Sequence, residues 1–376
     1  VYNNQIMKTI GIFTSGYGHE SIADAIAEKI ALQTEKKYLV KKYFRPEIMG
    51  FAYNSVYKFI PESMGPPFHL SSKFLQKDKN IRQFLENLFV VNTEKLIRNF
   101  VKKNKIDLCI STYFGCNPVL EKLQAENIPL INVITDPRTA HSLIVTDKAK
   151  LQLVFDQHIL NNYQTKNMIC SGWFVRKKFE EDYDQAQIRK KLKLSDELTF
   201  LLVSGSQGSN TILKILPSII NCERAVNFVV ACGKNKFLYN NILGIKKSLS
   251  KLSSSKAKII PLAYTKDLHL YMQAADMVIG KAGPNTLFES IACETAFFAI
   301  THIHGQEDGN LDIIRDYQIG IVEENVKKAN QELEKLIQHP EKIKAFTPAI
   351  KKLKKYNQNA INVLLKQMDL LLKTKT

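Results

Sequence analysis

The sequence predicts an α/β protein built from two doubly wound, parallel-sheet domains. Three observations lead there. The chain has 376 residues, more than one domain usually holds. From Lys8 onward, short β-branched runs alternate with helix-period segments, the pattern of β-α units building a parallel sheet. Near residue 198 the alternation restarts, again with strand, glycine turn and helix. At 45% hydrophobic and 24% charged, the composition supports buried cores and excludes disordered or collagen-like chains. No short fixed repeat is present, which excludes solenoids.

The first strand is KTIGIFTS, followed by the turn Ser15-Gly16-Tyr17-Gly18-His19. In the helix after it, Ile22, Ile26 and Ile30 recur every four residues and face the sheet. The helix NTEKLIRNFVKKN, strand IDLCIST, helix NPVLEKLQAEN and strands PLINVITD and LQLVFD continue the domain. Tyr43 to Phe74 breaks the rhythm, setting aromatics among prolines and lysines. It reads either as a core or domain-contact helix with a turn, or as a surface that takes an apolar acceptor or dips into lipid.

The segment SGWFVRKKFEEDYD marks the crossing, dividing the chain into domains 1–172 and 173–350. The second domain runs through strand TFLLVS, a turn at Gly205-Ser206-Gln207-Gly208-Ser209, and strands NFVVAC, KIIPL, DMVIG, AFFAIT and GIVEE with helices between. The tail, 351–376, carries seven lysines against one acid, and Leu353, Ile361, Leu364, Leu365, Met368, Leu371 and Leu372 form one stripe. It reads as a basic amphipathic helix that packs on the first domain or lies on a membrane.

A formal charge of +17 predicts an anionic partner: phosphorylated ligands, an anionic membrane surface or nucleic acid. No zinc-finger, helix-turn-helix or RNA-binding aromatic motif stands out, so nucleic acid is not expected. The six cysteines contain no C-x-x-C pair and mostly sit in apolar runs, which predicts reduced core thiols. Without a long apolar run or a signal-peptide pattern, the expected location is cytoplasmic, peripheral on the inner face of the membrane.

Both glycine turns enter helices, whose N-termini present N–H groups and a positive dipole end to phosphate. The second domain adds Lys281-Ala282-Gly283-Pro284-Asn285-Thr286, a turn with Pro suited to the first helical turn. Glu289 follows inside that helix, where a carboxylate can accept both hydroxyls of a ribose; it can also be a solvated helix residue. In the loop after AFFAIT, Gln306, Glu307 and Asn310 offer the mixture of donors and acceptors that sugar hydroxyls require.

Five pieces in order resemble the monogalactosyldiacylglycerol synthase and processive diacylglycerol glucosyltransferase family of GT-B glycosyltransferases. They are TSGYGHESIADAI (14–26), IPLINVITDPRTAH (128–141), SGWFVR (171–176), KAGPNTLFES (281–290) and GQEDGN (305–310). The resemblance implies the GT-B fold: two Rossmann-like domains facing a cleft, with the C-terminal helix returning to the first. It implies inverting transfer of a hexose from a UDP-sugar to diacylglycerol, with no metal or other cofactor. By the same resemblance, the donor's diphosphate is held at Gly18, at Ser206, Gln207 and Gly208, and at Ala282, Gly283, Asn285 and Thr286. Glu289 takes the ribose, and Gln306, Glu307 and Asn310 take the sugar.

His19 matches the family's glycine-turn histidine and is the expected general base, with an intrinsic pKa near neutrality. Asp136 would orient it or serve as the base instead. His141, Arg176, His302 and His304 match less cleanly. The chain departs from the family at Glu294-Thr295-Ala296, where Gly-x-Pro is usual, and at Tyr113, where histidine is common. The 204–209 turn, Ser-Gly-Ser-Gln-Gly-Ser, equally resembles the enzyme that adds GlcNAc to lipid I. A polyprenyl-diphosphate glycan acceptor and nucleotide-sugar epimerisation are therefore the alternatives.

Overall fold

The computed structural model describes residues 7–16, 18–34, 37–45, 65–78, 80–81, 83, 87, 93–163, 165, 167–203, 211–251 and 255–373. The chain divides into two compact units. One comprises 1–177, 304–306 and 356–376, and the other 178–303 and 307–355.

The first unit holds a six-stranded parallel sheet in the order β2-β1-β3-β4-β5-β6. Its strands are β1 (Lys8–Thr14), β2 (Tyr38–Phe44), β3 (Leu108–Ser111), β4 (Leu130–Val133), β5 (Leu151–Val154) and β6 (Met168–Cys170). Ile10, Ile12 and Phe13 of β1 are fully buried, and Ile22, Ile26 and Ile30 of helix Gly18–Gln33 are buried as well. The two edge strands, β2 and β6, have no clear sequence signal. β2 carries Lys41 and Lys42 in its middle, and β6 has three residues, so neither shows the apolar run of a strand buried on both faces.

The second unit holds β7 (Leu198–Val203), β8 (Val226–Gly233), β9 (Ala257–Ala263), β10 (Met277–Lys281), β11 (Ala296–Thr301) and β12 (Gly320–Val322). Their order is β12-β11-β10-β7-β8-β9, all parallel. Phe200 and Phe228 stack at 5.5 Å between ring centroids in its core. Gly280 lets β10 close on β7, since a Cβ there would lie 2.5 Å from the Val203 carbonyl oxygen.

The division falls at 177/178, five residues beyond the expected 172/173, because the intervening segment is tied into the first unit. The Trp173 N–H donates to Asn357 Oδ1 at 3.0 Å, and the Lys177 N–H to Glu28 Oε2 at 2.9 Å. Gly172 has φ +86° and its Cβ position lies 3.1 Å from the Tyr356 carbonyl oxygen, so glycine is required by both conformation and space.

The tail is two helices, Thr347–Gln358 and Ala360–Lys373, rather than one amphipathic helix. Ala360, Ile361, Leu364, Met368 and Leu372 are buried in the first unit. There Asp369 accepts from Lys37 Nζ at 2.7 Å and from the Tyr38 hydroxyl. This returning helix therefore packs, and its apolar stripe is not open to lipid. In the second unit Lys354 Nζ donates to Glu294 Oε1 at 2.9 Å. Glu294 has φ +57°, a left-handed conformation that favours glycine. Among the described residues no helix is long and apolar enough to cross a membrane.

Candidate functional site

In open parallel sheets, ligands bind beyond the carboxyl ends of the strands where the strand order reverses. The first unit reverses between β1 and β3, and the second between β7 and β10. Gly18 and His19 lie at the first of these points, and Ala282, Gly283, Asn285 and Thr286 at the second.

At the first, β1 ends and helix Gly18–Gln33 begins, so Gly18 and His19 open the helix. Thr112, just past β3, donates its hydroxyl to the His19 carbonyl at 3.2 Å and to Thr14 Oγ1 at 2.9 Å. The imidazole is gripped by Thr135, which the sequence reading did not single out, and by Tyr113, which it marked as a departure from the family. Thr135 Oγ1 lies 3.0 Å from His19 Nδ1, and the Tyr113 ring meets it edge-on at 5.2 Å between centroids. Desolvation pushes the His19 pKa from 6.5 down to about 4, against a hydrogen bond at the Thr112 backbone that favours protonation. The ring is therefore a neutral base at physiological pH, and its affinity for a proton is well below that of a free imidazole.

Asp136 is buried directly after Thr135. The partner of His19 Nδ1 is the Thr135 hydroxyl. Two residues on, Arg138 donates from Nε at 2.9 Å and Nη2 at 2.8 Å to Asp156 Oδ2, a buried pair that fixes the loop after β4. Arg45 donates to the Gly115 carbonyl, where a Cβ would lie 2.6 Å from the Tyr113 ring. Tyr113 is thus a packed wall beside His19.

At the second point, Ser206, Gln207 and Gly208 lie outside the described residues. The β10 side is described. Ala282 is buried, Gly283 precedes helix Pro284–Ala292, and Asn285 and Thr286 lie in its first turn. Glu289 is 8% exposed, one and a half turns into the same helix. Asn310 and Glu307 tie this turn to the following loop. The Asn310 amide donates to the Ala282 carbonyl at 2.7 Å. Glu307, 5% exposed, pairs through Oε1 with Lys281 and accepts the Ile303 N–H on Oε2 at 2.7 Å. Gly283 leaves room for that ion pair, since its Cβ position is 3.3 Å from Lys281 Nζ. Both carboxylate oxygens of Glu307 thus have protein partners. Gln306, of the same expected trio, groups with the first unit.

His302, directly after β11, matches the family less cleanly in the sequence, and the structure gives it two carboxylate partners. Its Nδ1 lies 2.7 Å from Glu324 Oε1 and its Nε2 3.0 Å from Asp308 Oδ1. Burial disfavours the charge, but the two carboxylates outweigh it and hold the pKa above the usual histidine value. Both His302 nitrogens are thus engaged by carboxylates of its own unit, and the ring braces the loop after β11. Its sequence signal is a histidine at a strand end with acids six and twenty-two residues away, too loose to find without coordinates.

Residues 199–362 match the glycosyltransferase family 28 C-terminal domain. A processive diacylglycerol β-glucosyltransferase of Bacillus pumilus is 24% identical over 383 aligned residues, covering 98% of this chain and 97% of its own. Monogalactosyldiacylglycerol synthase 3 of Arabidopsis thaliana is 24% identical, covering 86% of this chain and 72% of its own. Among solved structures, Acinetobacter baumannii MurG superposes with TM-score 0.62 at 15% identity, over 96% of this chain and 99% of its own. The chain is a GT-B glycosyltransferase resembling the diacylglycerol glucosyltransferase and monogalactosyldiacylglycerol synthase family. SnogD of Streptomyces nogalater, with TM-score 0.60 at 13% identity over 96% of this chain and 99% of its own, shares the fold of this glycosyltransferase.

Proposed function

We propose that this glycosyltransferase moves a hexose from a UDP-sugar to a hydroxyl of diacylglycerol at a membrane surface, with inversion and without a metal. The observation that carries the reading is His19: it matches the family's glycine-turn histidine, and it stands desolvated and neutral at the switch point of the first unit. As the acceptor oxygen attacks the anomeric carbon, the imidazole takes its proton and the bond to the diphosphate breaks. The amide dipoles ahead of helix Pro284–Ala292 support the departing charge, the part that cations play in metal-dependent relatives. Glu289 accepts the ribose hydroxyls.

The Lys281–Glu307 pair and the Asn310–Ala282 bond act one step back. They hold the turn that meets the donor, so Glu307 and Asn310 shape the sugar pocket more than they fill it. Diacylglycerol is favoured as acceptor because the diacylglycerol β-glucosyltransferase of B. pumilus aligns with nearly the whole chain. Helix Gly65–Lys77 also leaves Leu70 at 70% and Phe74 at 51% exposure, spaced to lie on one face. The test is transfer from radiolabelled UDP-glucose, UDP-galactose and UDP-GlcNAc to diacylglycerol vesicles, with products separated by chromatography. A lipid-soluble product from a UDP-hexose is expected. Transfer only from UDP-GlcNAc to a polyprenyl-diphosphate glycan, or epimerisation of a free nucleotide sugar, would overturn it.

A further inference from the structure

From Arg224 to Lys266 the chain carries that arginine and eight lysines without one aspartate or glutamate. This run forms β8, helix Lys236–Leu249 and the edge strand β9 of the second unit. Two aromatics stand out at the carboxyl ends of these strands, where Gly233 pairs with Ala263. Phe237 is 76% exposed and Tyr264 57% exposed. Exposed Lys234, Lys236 and Lys266 flank them in the chain, and Lys234 Nζ sits 5.2 Å from the Tyr264 ring centroid. Lys178 Nζ donates to the Lys266 carbonyl at 2.6 Å, bringing a further cation to this corner. Among the described residues, Lys234, Lys236 and Lys266 form no ion pair.

The corner is rigidly presented. Asn235 caps the helix by accepting the Leu238 N–H at 2.9 Å, and Leu238 is buried beside the outward-facing Phe237. A ring held three-quarters exposed contributes little to its own unit's core, and unpaired cations around it repel one another. Both features become favourable against anionic headgroups, with phosphates meeting the ammonium groups and the rings entering the glycerol-level interface. One face of Tyr264 is covered by Lys234, which suits a lipid interface better than the stacking of bases.

We infer that this corner of the second unit, built on Lys234, Lys236, Phe237, Tyr264 and Lys266, is a docking face for an anionic lipid surface. It deepens the proposed membrane reaction and rests on that reading for its purpose. The face belongs to the second unit, whereas the returning C-terminal helix, whose apolar stripe is buried, and helix Gly65–Lys77 belong to the first.

The test is co-sedimentation with phosphatidylcholine vesicles, with and without a quarter phosphatidylglycerol, at low and moderate salt. Wild type should bind the anionic vesicles and lose binding as salt rises. Lys234→Gln/Lys236→Gln/Lys266→Gln should weaken that binding about 100-fold. Phe237→Ser should weaken it about tenfold and remove mainly the salt-resistant part. The control Lys327→Gln/Lys328→Gln/Lys342→Gln, of equal charge change, should stay within about twofold of wild type, and thermal unfolding shows that each variant is folded. The inference is overturned if the first triple variant binds like wild type or loses no more than the control. It is also overturned if wild type ignores anionic vesicles but binds a single-stranded oligonucleotide. Co-sedimentation needs no turnover. A wild type that binds vesicles through this face but transfers no sugar sinks the enzyme reading alone, whereas transfer in detergent micelles with unchanged vesicle binding in the triple variant sinks the docking face alone.

Discussion

Each unit holds a histidine at the end of a strand or the start of a helix, and the two points treat it in opposite ways. His19 is enclosed by Thr135, Tyr113 and Thr112, none of them charged, and burial drives its pKa down. His302 sits between Glu324 and Asp308, and its pKa is driven up. Residue type does not decide the chemistry. The polarity of the surroundings favours the neutral ring in the first and the protonated ring in the second.

The sharpest break of this comparison is His19→Ala. Turnover should fall about 1000-fold, the scale of a lost general base, while stabilisation by UDP in thermal unfolding is kept. Near-normal turnover would make the first point as structural as the second. Next, Lys281→Met should destabilise the second unit by about 3 kcal/mol in urea unfolding, because it leaves Glu307 buried without its cation. Adding Glu307→Gln should recover part of that loss, and no recovery would show that the pair is not coupled.

The pH dependence separates the two histidines by sign. Unfolded His19 takes a proton near pH 6.5, but folded His19 waits until about pH 4, so stability falls as pH drops through that window. The loss is at most about 3 kcal/mol, lessened by solvent at the ring edge, and His19→Ala should flatten it. His302 has a raised folded pKa, so its contribution is complete below pH 6.5 and fades as pH rises through the folded value. His302→Gln should remove that alkaline fade. Unfolding series from pH 4.5 to 8 on both variants would expose a reversed assignment.

Smaller effects refine the picture. Glu289→Ala should weaken UDP binding about tenfold by calorimetry, the cost of a hydrogen bond to a charged group. Thr135→Val should lower kcat about fivefold through a misplaced ring, the worth of one neutral hydrogen bond, and leave KM for the donor unchanged. A change in KM instead would place Thr135 in donor binding.

Much of this was legible in the chain. β1, β3, β4 and β5 and all six strands of the second sheet read as short apolar runs and are visible without coordinates. β2 and β6 are not, because β2 carries two lysines in its middle and β6 spans three residues. His19 and the turn at Ala282 to Thr286 could be found because a sharp strand-to-helix junction constrains residue type locally. Lys281, Thr135 and His302 could not, because their roles depend on partners from 22 to 116 residues away in the chain.

Period and turn chemistry are local, and by themselves they determined the two α/β halves, the glycine turns and the apolar stripe of the tail. Solvent exclusion and charge pairing are not local. Only the tertiary structure decided that the terminal stripe is buried rather than open to lipid, that Glu307 and Asn310 brace a turn, and that two similar histidines carry opposite charge preferences. Burial and Coulomb attraction depend on what surrounds a side chain in space, and the linear order of residues does not state that.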